Sequence, residues 1–182
     1  MICKLCKLLN NPLKLEMLSR VYLAKDGVNV GVLADEMSSR GLVMSGVSQY
    51  LKQFESLGVM RRERAGRYVN YCPNPKAAAD MKSAVIAIVS RKENLPALAP
   101  YFAALMNPFR AKVVAALRKA GEISGVEICE RTEHQLRYLK RDLQAVVDAG
   151  LIWADDSEPS LAVYRYREPS DPVARLLVSL CR

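Results

Sequence analysis

Residues 47–72 read VSQYLKQFESLGVMRRERAGRYVNYC and combine a helical pattern with an extended one. Its first part places three apolar side chains at helical spacing, namely Val47, Leu51 and Phe54. This spacing predicts a helix with one buried face, and Gly58 can adopt the left-handed conformation that ends it. Beyond the glycine, two extended runs flank a turn at residues 64–67, which is typical of a β-hairpin. The stretch therefore predicts a helix followed by a hairpin.

Three more helices are predicted around this stretch. The first begins at Pro12, because proline tolerates the first position of a helix. The second covers about residues 30–37, with Asn29 as its N-cap. The third runs from Lys76 to about Arg91 and carries an apolar stripe that is either core or a subunit interface. The stripe consists of Ala77, Ala78, Met81, Val85, Ile88 and Val89.

The same order of elements recurs in the second half of the chain. The sequence LNNPLK at 9–14 is echoed 96 residues later by LMNPFR at 105–110. Ser124 is a candidate N-cap for a second helix over residues 124–131, and a third helix ends at Gly150. The apolar positions of that third helix lie 92 residues after those of the first copy and are Leu139, Leu143 and Val146. The chain is therefore predicted to be a tandem repeat.

A second hairpin and a closing helix complete the second copy. Residues 151–154 and 161–167 flank a longer tip, and Pro172 stands in the first turn of a helix over 171–181. Each copy thus has the order helix, helix, helix, hairpin, helix. This order is the plan of the winged helix-turn-helix, in which the third helix can lie in the major groove of DNA.

The boundary between the copies is predicted at residues 93–100, which contain two prolines. We therefore expect two domains, residues 1–95 and 96–182, both winged helix-turn-helix. The predicted fold class is mainly α with small β-hairpins.

Four motifs of the first copy occur in an order known from one protein family. They are NPLKLEML at 11–18, VGVLADEM at 30–37, VSQYLKQF at 47–54 and GRYVNY at 66–71. On these motifs, which cover about half the chain, the first copy resembles the ArsR-type family of small bacterial repressors. The family usually has histidine after Ser-Gln, where this sequence has Tyr50. The resemblance implies a dimeric, DNA-binding transcriptional repressor.

Charge favours a polyanionic partner and separates the two copies. The chain has 27 Lys and Arg against 19 Asp and Glu, a net charge of +8. Residues 1–95 hold 15 of the basic and 8 of the acidic residues, whereas residues 96–182 hold 12 and 11. Because neutralising phosphates supplies most non-specific DNA affinity, the first copy is the better electrostatic match for DNA.

The outward side of the third helix and the basic hairpin are the predicted DNA contacts of the first copy. Hydroxyl groups permit close approach, glutamine can pair with adenine, and lysine can meet phosphate or guanine. The candidate residues are Ser45, Ser48, Gln49, Lys52 and Gln53 on the helix, and Arg62, Arg64 and Arg67 in the hairpin. The alternative is a solvated helix face, which every surface helix has.

The second copy is either a further DNA contact or an internal partner of the first. Its third helix points basic side chains outward, and the candidate contacts are Arg137, Lys140 and Arg141. Its hairpin tip is acidic, with Asp155, Asp156 and Glu158. These carboxylates would be repelled by the phosphates of DNA, which would weaken binding. We expect double-stranded DNA as partner and either a homodimer or an intrachain pseudo-dimer. A protein-interaction scaffold without base readout is the alternative function, and an effector pocket between the copies stays open.

Enzymatic and metal chemistry are not expected. The single histidine, His134, argues against a hydrolase, no phosphate loop or nucleophile elbow occurs, and no cofactor is predicted. Cys3 and Cys6 have the spacing of half a thiolate site, but no second pair exists, so buried thiols are preferred over a metal sensor. A redox sensor stays open, because nearby Lys4 and Lys7 would lower the pKa of these thiols.

A cytoplasmic location is expected. The longest apolar run, residues 84–89, is far shorter than the roughly 20 residues that span a bilayer. Lysines interrupt the apolar residues near the N-terminus, where no small-residue cleavage site appears, so no secretory signal is predicted.

Overall fold

The computed structural model describes residues 1–24, 26–91, 96–155 and 161–181. These residues are mainly helical with two small antiparallel sheets, which confirms the predicted class of mainly α with small β elements. The contacts between residues divide the chain into two compact units. The N-terminal unit is Leu8–Glu93, and the C-terminal unit is Asn94–Arg182 together with Met1–Lys7.

The N-terminal unit contains four helices and one three-stranded sheet within the described residues. Its strands pair in the order β1-β3-β2, so that β3 is central. The chain begins with α1 (Ile2–Leu9), inside which the boundary between the units falls. The elements that follow are α2 (Pro12–Leu23), β1 (Val28–Asn29), α3 (Val30–Ser38), α4 (Met44–Ser56), β2 (Met60–Ala65), β3 (Tyr68–Pro73) and α5 (Ala79–Val89).

Short polar side chains and glycines set the helix ends of this unit. The side-chain oxygen of Asn11 accepts a hydrogen bond from the N–H of Lys14, and Pro12 occupies the first turn of α2. Asn29 caps α3 by accepting from the N–H of Gly31 at 2.8 Å. Gly58, with φ of +74°, follows the last turn of α4. The predictions for Pro12, Asn29 and Gly58 are confirmed, because helix ends are local features of the sequence, whereas the cap by Asn11 was not predicted.

The face of α4 that packs into the core is the predicted one. Val47, Leu51 and Phe54 are completely buried, and so are Met17 and Leu18 of α2. Burial of one face leaves the opposite face of α4 to solvent. Of the predicted apolar stripe, Met81, Val85, Ile88 and Val89 are buried on α5 within the single chain, together with Ala84. The prediction is wrong for Ala77 and Ala78, because both precede α5, and Ala78 is exposed.

The C-terminal unit repeats this order of elements. It contains a second sheet with strand order β4-β6-β5, again with the second strand of the hairpin in the centre. Its elements are α6 (Ala99–Leu105), α7 (Pro108–Ala120), β4 (Glu122–Ser124), α8 (Gly125–Thr132), α9 (Leu136–Asp148), β5 (Ile152–Ala154), β6 (Val163–Tyr166) and α10 (Pro172–Ser179).

Caps and core of this unit also agree with the prediction. Ser124 caps α8, Asp171 caps α10, and Gly150 has φ of +67° beyond the last turn of α9. The buried positions of α9 are the predicted ones, Leu139, Leu143 and Val146. The first residues of the chain add Ile2, Leu5 and Cys6, all buried, to this unit.

Three local features differ from the prediction. Helix α5 begins at Ala79 and not at Lys76, because Asn74 forms a turn in which its carbonyl accepts from Ala77 and its side chain from Lys76. The predicted linker reaches residue 100, yet α6 begins at Ala99. Helices α1 and α6 were not predicted.

Some predicted features fall outside the described residues. These are part of the linker, residues 92–95, and most of the acidic hairpin tip, residues 156–160. Among the residues that the structure does describe, no helix has the length and apolar character to cross a lipid bilayer.

Candidate nucleic-acid interface

Helix α4 and the β2–β3 hairpin line one concave surface in the N-terminal unit, with a volume of about 410 Å³. We call it the α4–hairpin surface. It is lined by Met44, Ser48 and Lys52 from α4, by Arg62, Arg67, Tyr68, Val69 and Tyr71 from the hairpin, and by Asn29, Val30 and Gly31 where α3 begins. Four of the eleven predicted DNA contacts are therefore brought together: Ser48, Lys52, Arg62 and Arg67.

The α4 side of this surface follows from helix geometry. Residues four apart lie above one another on one face of a helix, so Met44, Ser48 and Lys52 form a stripe directed towards the hairpin. The predicted contacts Ser45 and Gln49 are exposed on the neighbouring part of the same helix, outside the concave surface. They remain open to a ligand that covers α4.

Gln53, another predicted contact on α4, already forms a hydrogen bond within the N-terminal unit. The ammonium group of Lys14 donates to Gln53 Oε1 at 2.9 Å and lies 4.6 Å from the ring centre of Tyr50. The side-chain carbonyl of Gln53 thus already has a donor, which leaves its amide N–H groups for other contacts. Tyr50 contributes its ring to this arrangement.

Two of the hairpin arginines are held in place by neighbouring side chains. The guanidinium of Arg67 lies 5.2 Å from the ring centre of Tyr68 and donates to its hydroxyl at 3.1 Å. The Arg62 guanidinium lies 3.9 Å from a carboxylate oxygen of Glu55 at the C-terminal end of α4. Arg64 is exposed on β2 and has no acidic partner among the described residues. The hairpin therefore presents positioned cations.

Buried polar groups support the base of the same surface. Tyr71 on the central strand is buried and donates to Glu55 at 3.4 Å. Burial, followed by the charge of Glu55, raises the pKa of the Tyr71 hydroxyl. Tyr71 therefore stays neutral at physiological pH and connects β3 to the end of α4.

The other three predicted contacts lie on α9 of the C-terminal unit, and all are exposed. The guanidinium groups of Arg137 and Arg141 lie 4.6 and 4.7 Å from the ring centre of Tyr138. Arg141 also donates to Asp142 at 2.9 Å, and this hydrogen bond lowers the pKa of the Asp142 carboxyl. Lys140 lies on the same exposed face of α9, whose positive charge is partly neutralised by Asp142.

His134 belongs to a structural cluster next to this face. Its Nε2 lies 3.0 Å from Asp142 Oδ2, and its ring stacks on Phe109 with 4.0 Å between ring centres. This arrangement connects the start of α7 with α9.

The Cys6 thiol near the N-terminus is not activated in the way that the neighbouring lysines suggested. Cys6 is completely buried, and burial raises the pKa of its thiol, so the expected lowering is wrong for this residue. Burial also raises the pKa of Cys181 to about 12. All five cysteines are free, and no group of three or more metal-ligating side chains occurs in the described part of the chain.

Seven of the eleven residues that line the α4–hairpin surface were not predicted as contacts, among them Met44 and Tyr68. The helical spacing of Met44 from Ser48 was a usable signal. No such signal existed for Tyr68, because its role depends on how Arg67 folds back over the ring.

No family model, curated protein or solved structure matches the chain. The candidate interface therefore depends on the geometry of the chain's own residues.

Proposed function

We propose that the protein is a sequence-specific regulator of transcription that binds double-stranded DNA, and that it is a repressor of the ArsR type. Its two units are winged helix-turn-helix domains in this proposal. Helix α4 reads base edges in the major groove, and the β2–β3 hairpin contacts the phosphate backbone. The observation that carries the proposal is that Ser48 and Lys52 of α4 line one surface with Arg62 and Arg67 of the hairpin.

The arrangement of elements supports this proposal. Both units have helix, short strand, helix, helix and hairpin in the same order, with the second hairpin strand central in each sheet. The major groove of B-DNA is about 12 Å wide and admits one α-helix. Helix α4 has 13 residues and an exposed face of hydroxyl, amide and ammonium groups, which suits this groove.

The distribution of charge supports a polyanionic ligand for both units. Since Lys4 and Lys7 belong to the C-terminal unit, the N-terminal unit has 13 basic against 8 acidic residues, and the C-terminal unit 14 against 11. The N-terminal excess includes Arg64, which has no acidic partner among the described residues. In the proposal the N-terminal unit therefore supplies the main contact.

The C-terminal unit is a secondary contact in this proposal. Its α9 exposes Arg137, Lys140 and Arg141, but Asp142 offsets part of their charge. The burial of the apolar stripe of α5 within one chain favours core over subunit interface for that stripe. In this proposal a homodimer therefore uses a surface other than the buried stripe of α5.

Selection of bound duplexes from a random pool, followed by salt titration, tests the proposal. We expect the logarithm of the association constant to fall linearly with the logarithm of salt concentration. Replacing Arg64 or Arg67 by Ala should weaken binding to all duplexes and reduce the slope by about 0.9 per lost phosphate contact. Replacing Gln49 by Ala should relax base preference and leave the slope unchanged.

Lys82→Ala is the matched control, because Lys82 is an exposed cation on α5 of the same unit. It should change neither affinity nor slope. Absence of duplex binding at low salt would contradict the proposal and favour a protein-interaction scaffold. If the Lys82, Arg64 and Arg67 variants changed affinity and salt slope equally, the hairpin would not be part of the DNA interface.

A further inference from the structure

Two apolar side chains are exposed where α4 begins. Val43 is 68% exposed and Met44 is 56% exposed. Single exposed apolar residues are common, but these two are consecutive and Met44 lines the α4–hairpin surface. They lie at the end of α4 that would enter a groove first.

Val43 is also an unfavourable residue for its position. It is the N-cap of α4, and it makes no side-chain cap hydrogen bond. Five other helices, α2, α3, α7, α8 and α10, have Asn, Ser or Asp at this position, and each of these side chains accepts from the first turn. Helices α5, α6 and α9 share with α4 the lack of a side-chain cap hydrogen bond. An apolar N-cap stabilises a helix less than these residues do, because it leaves the N–H groups of the first turn without a side-chain acceptor. Leu98, the apolar N-cap of α6, is completely buried, whereas Val43 is exposed and gains no packing in return. Such a local cost without a packing gain is expected at functional sites.

The surroundings of Met44 define the chemistry of the ligand. Met44 stands on the same helical stripe as Ser48 and Lys52, and this stripe faces Arg62 and Arg67. A ligand that covers the stripe must therefore combine negative charge with an apolar group. Duplex DNA does so, since the C5-methyl group of thymine is the apolar group displayed in its major groove.

We propose that Val43 and Met44 select thymine by contacting its methyl group in the major groove. This inference rests on the proposed function and adds a base-specific element to it. The N-terminal residues of a recognition helix are those that reach base edges, and Val43 and Met44 hold this position on α4. The thioether of methionine is flexible and adapts to an irregular apolar surface.

Uracil substitution tests this inference, because it removes only the methyl group of thymine. Each thymine of the selected duplex is replaced in turn by deoxyuridine, and binding is measured by fluorescence anisotropy. We expect one or two positions at which wild-type affinity falls about fourfold, the value for one buried methyl group. Met44→Ala and Val43→Ala should bind the thymine duplex more weakly and lose this discrimination, whereas Met44→Leu should keep it.

Ile86→Ala is the control, because Ile86 is an exposed apolar residue on α5 that does not line the α4–hairpin surface. It should retain full discrimination between thymine and uracil. If no duplex binds, the proposed function itself fails. If duplexes bind but no uracil substitution weakens binding, if the selected sites lack thymine, or if both alanine variants discriminate like the wild type, the inference alone is overturned.

Discussion

Gly27 shows how one residue depends on both its backbone conformation and its neighbours. Its φ is +78°, and a Cβ atom placed on it would overlap Cys72 Sγ and lie 2.8 Å from the carbonyl oxygen of Tyr71. Gly41 has nearly the same φ, +77°, but nothing within 4 Å of such an atom. The two glycines therefore separate conformational strain from steric overlap.

Replacing each glycine by Ala should lower the free energy of unfolding by different amounts. Gly41→Ala should cost about 1 kcal/mol, because alanine is strained in the left-handed region. Gly27→Ala should cost at least about 2 kcal/mol, since its Cβ must also displace the buried Cys72 side chain or the β3 backbone. Urea denaturation followed by circular dichroism measures both losses, and equal losses would contradict the packing argument.

The sequence shows that position 27 is a glycine but does not show why a larger residue is excluded there. A glycine after the first apolar stripe indicates a helix end, and α2 ends at Leu23, four residues before Gly27. The contact that forbids a larger residue comes from Cys72, whose position depends on the pairing of Val28 with Tyr71. That pairing joins residues more than 40 positions apart and leaves no local signal.

Tyr22 connects two elements of the N-terminal unit. Its hydroxyl, on α2, donates to the carbonyl of Val59 at 2.7 Å, just before β2. Burial raises the pKa of Tyr22 to about 12 from an ordinary value of 10. Because the folded state holds this proton more tightly, its stabilising effect is complete below pH 10 and is lost as pH rises through about 12.

Tyr22→Phe should therefore act in two ways. Near neutral pH it should lower the free energy of unfolding by about 1 kcal/mol, because the Val59 carbonyl loses its donor. Between pH 10 and 12, the decline of this free energy with pH should be shallower than in the wild type. Denaturant titrations at several pH values measure both effects. Tyr68→Phe is the control, because Tyr68 is an exposed tyrosine of the hairpin. If both variants made the alkaline decline of the free energy of unfolding equally shallow, the effect could not be assigned to Tyr22.

Elements with local signals were predictable, and elements made by distant pairing were not. The caps Asn29 and Ser124 and the glycines that end α4 and α9 could be identified from the sequence alone. Strands β1 and β4 have only two and three residues and exist because β3 and β6 pair with them. In the candidate interface, the hydrogen bond between Lys14 and Gln53 escaped prediction for the same reason.

The two units of the molecule are not two consecutive stretches of the chain, because the first residues belong to the C-terminal unit. Sequence reasoning placed residues 1–95 in one domain, whereas the contacts group Met1–Lys7 with Asn94–Arg182. The cause is packing and not propensity, because the buried side chains Ile2, Leu5 and Cys6 show helical spacing but no preference for either unit. The charge balance changes accordingly, since Lys4 and Lys7 move with them.

Leu5→Ala tests this division directly. Leu5 is completely buried, so its truncation should lower the free energy of unfolding by about 2–5 kcal/mol. The loss should appear in the C-terminal unit, as faster amide hydrogen exchange in α7 and α9, because Leu5 belongs to that unit although it lies at the start of the chain. Leu18→Ala removes an equally buried leucine from α2 and should instead accelerate exchange in α4 and β3. Mass spectrometry of proteolytic fragments resolves the two patterns. If Leu5→Ala accelerated exchange in α4 and β3 and spared α7 and α9, the N-terminal segment would belong to the first half of the chain after all.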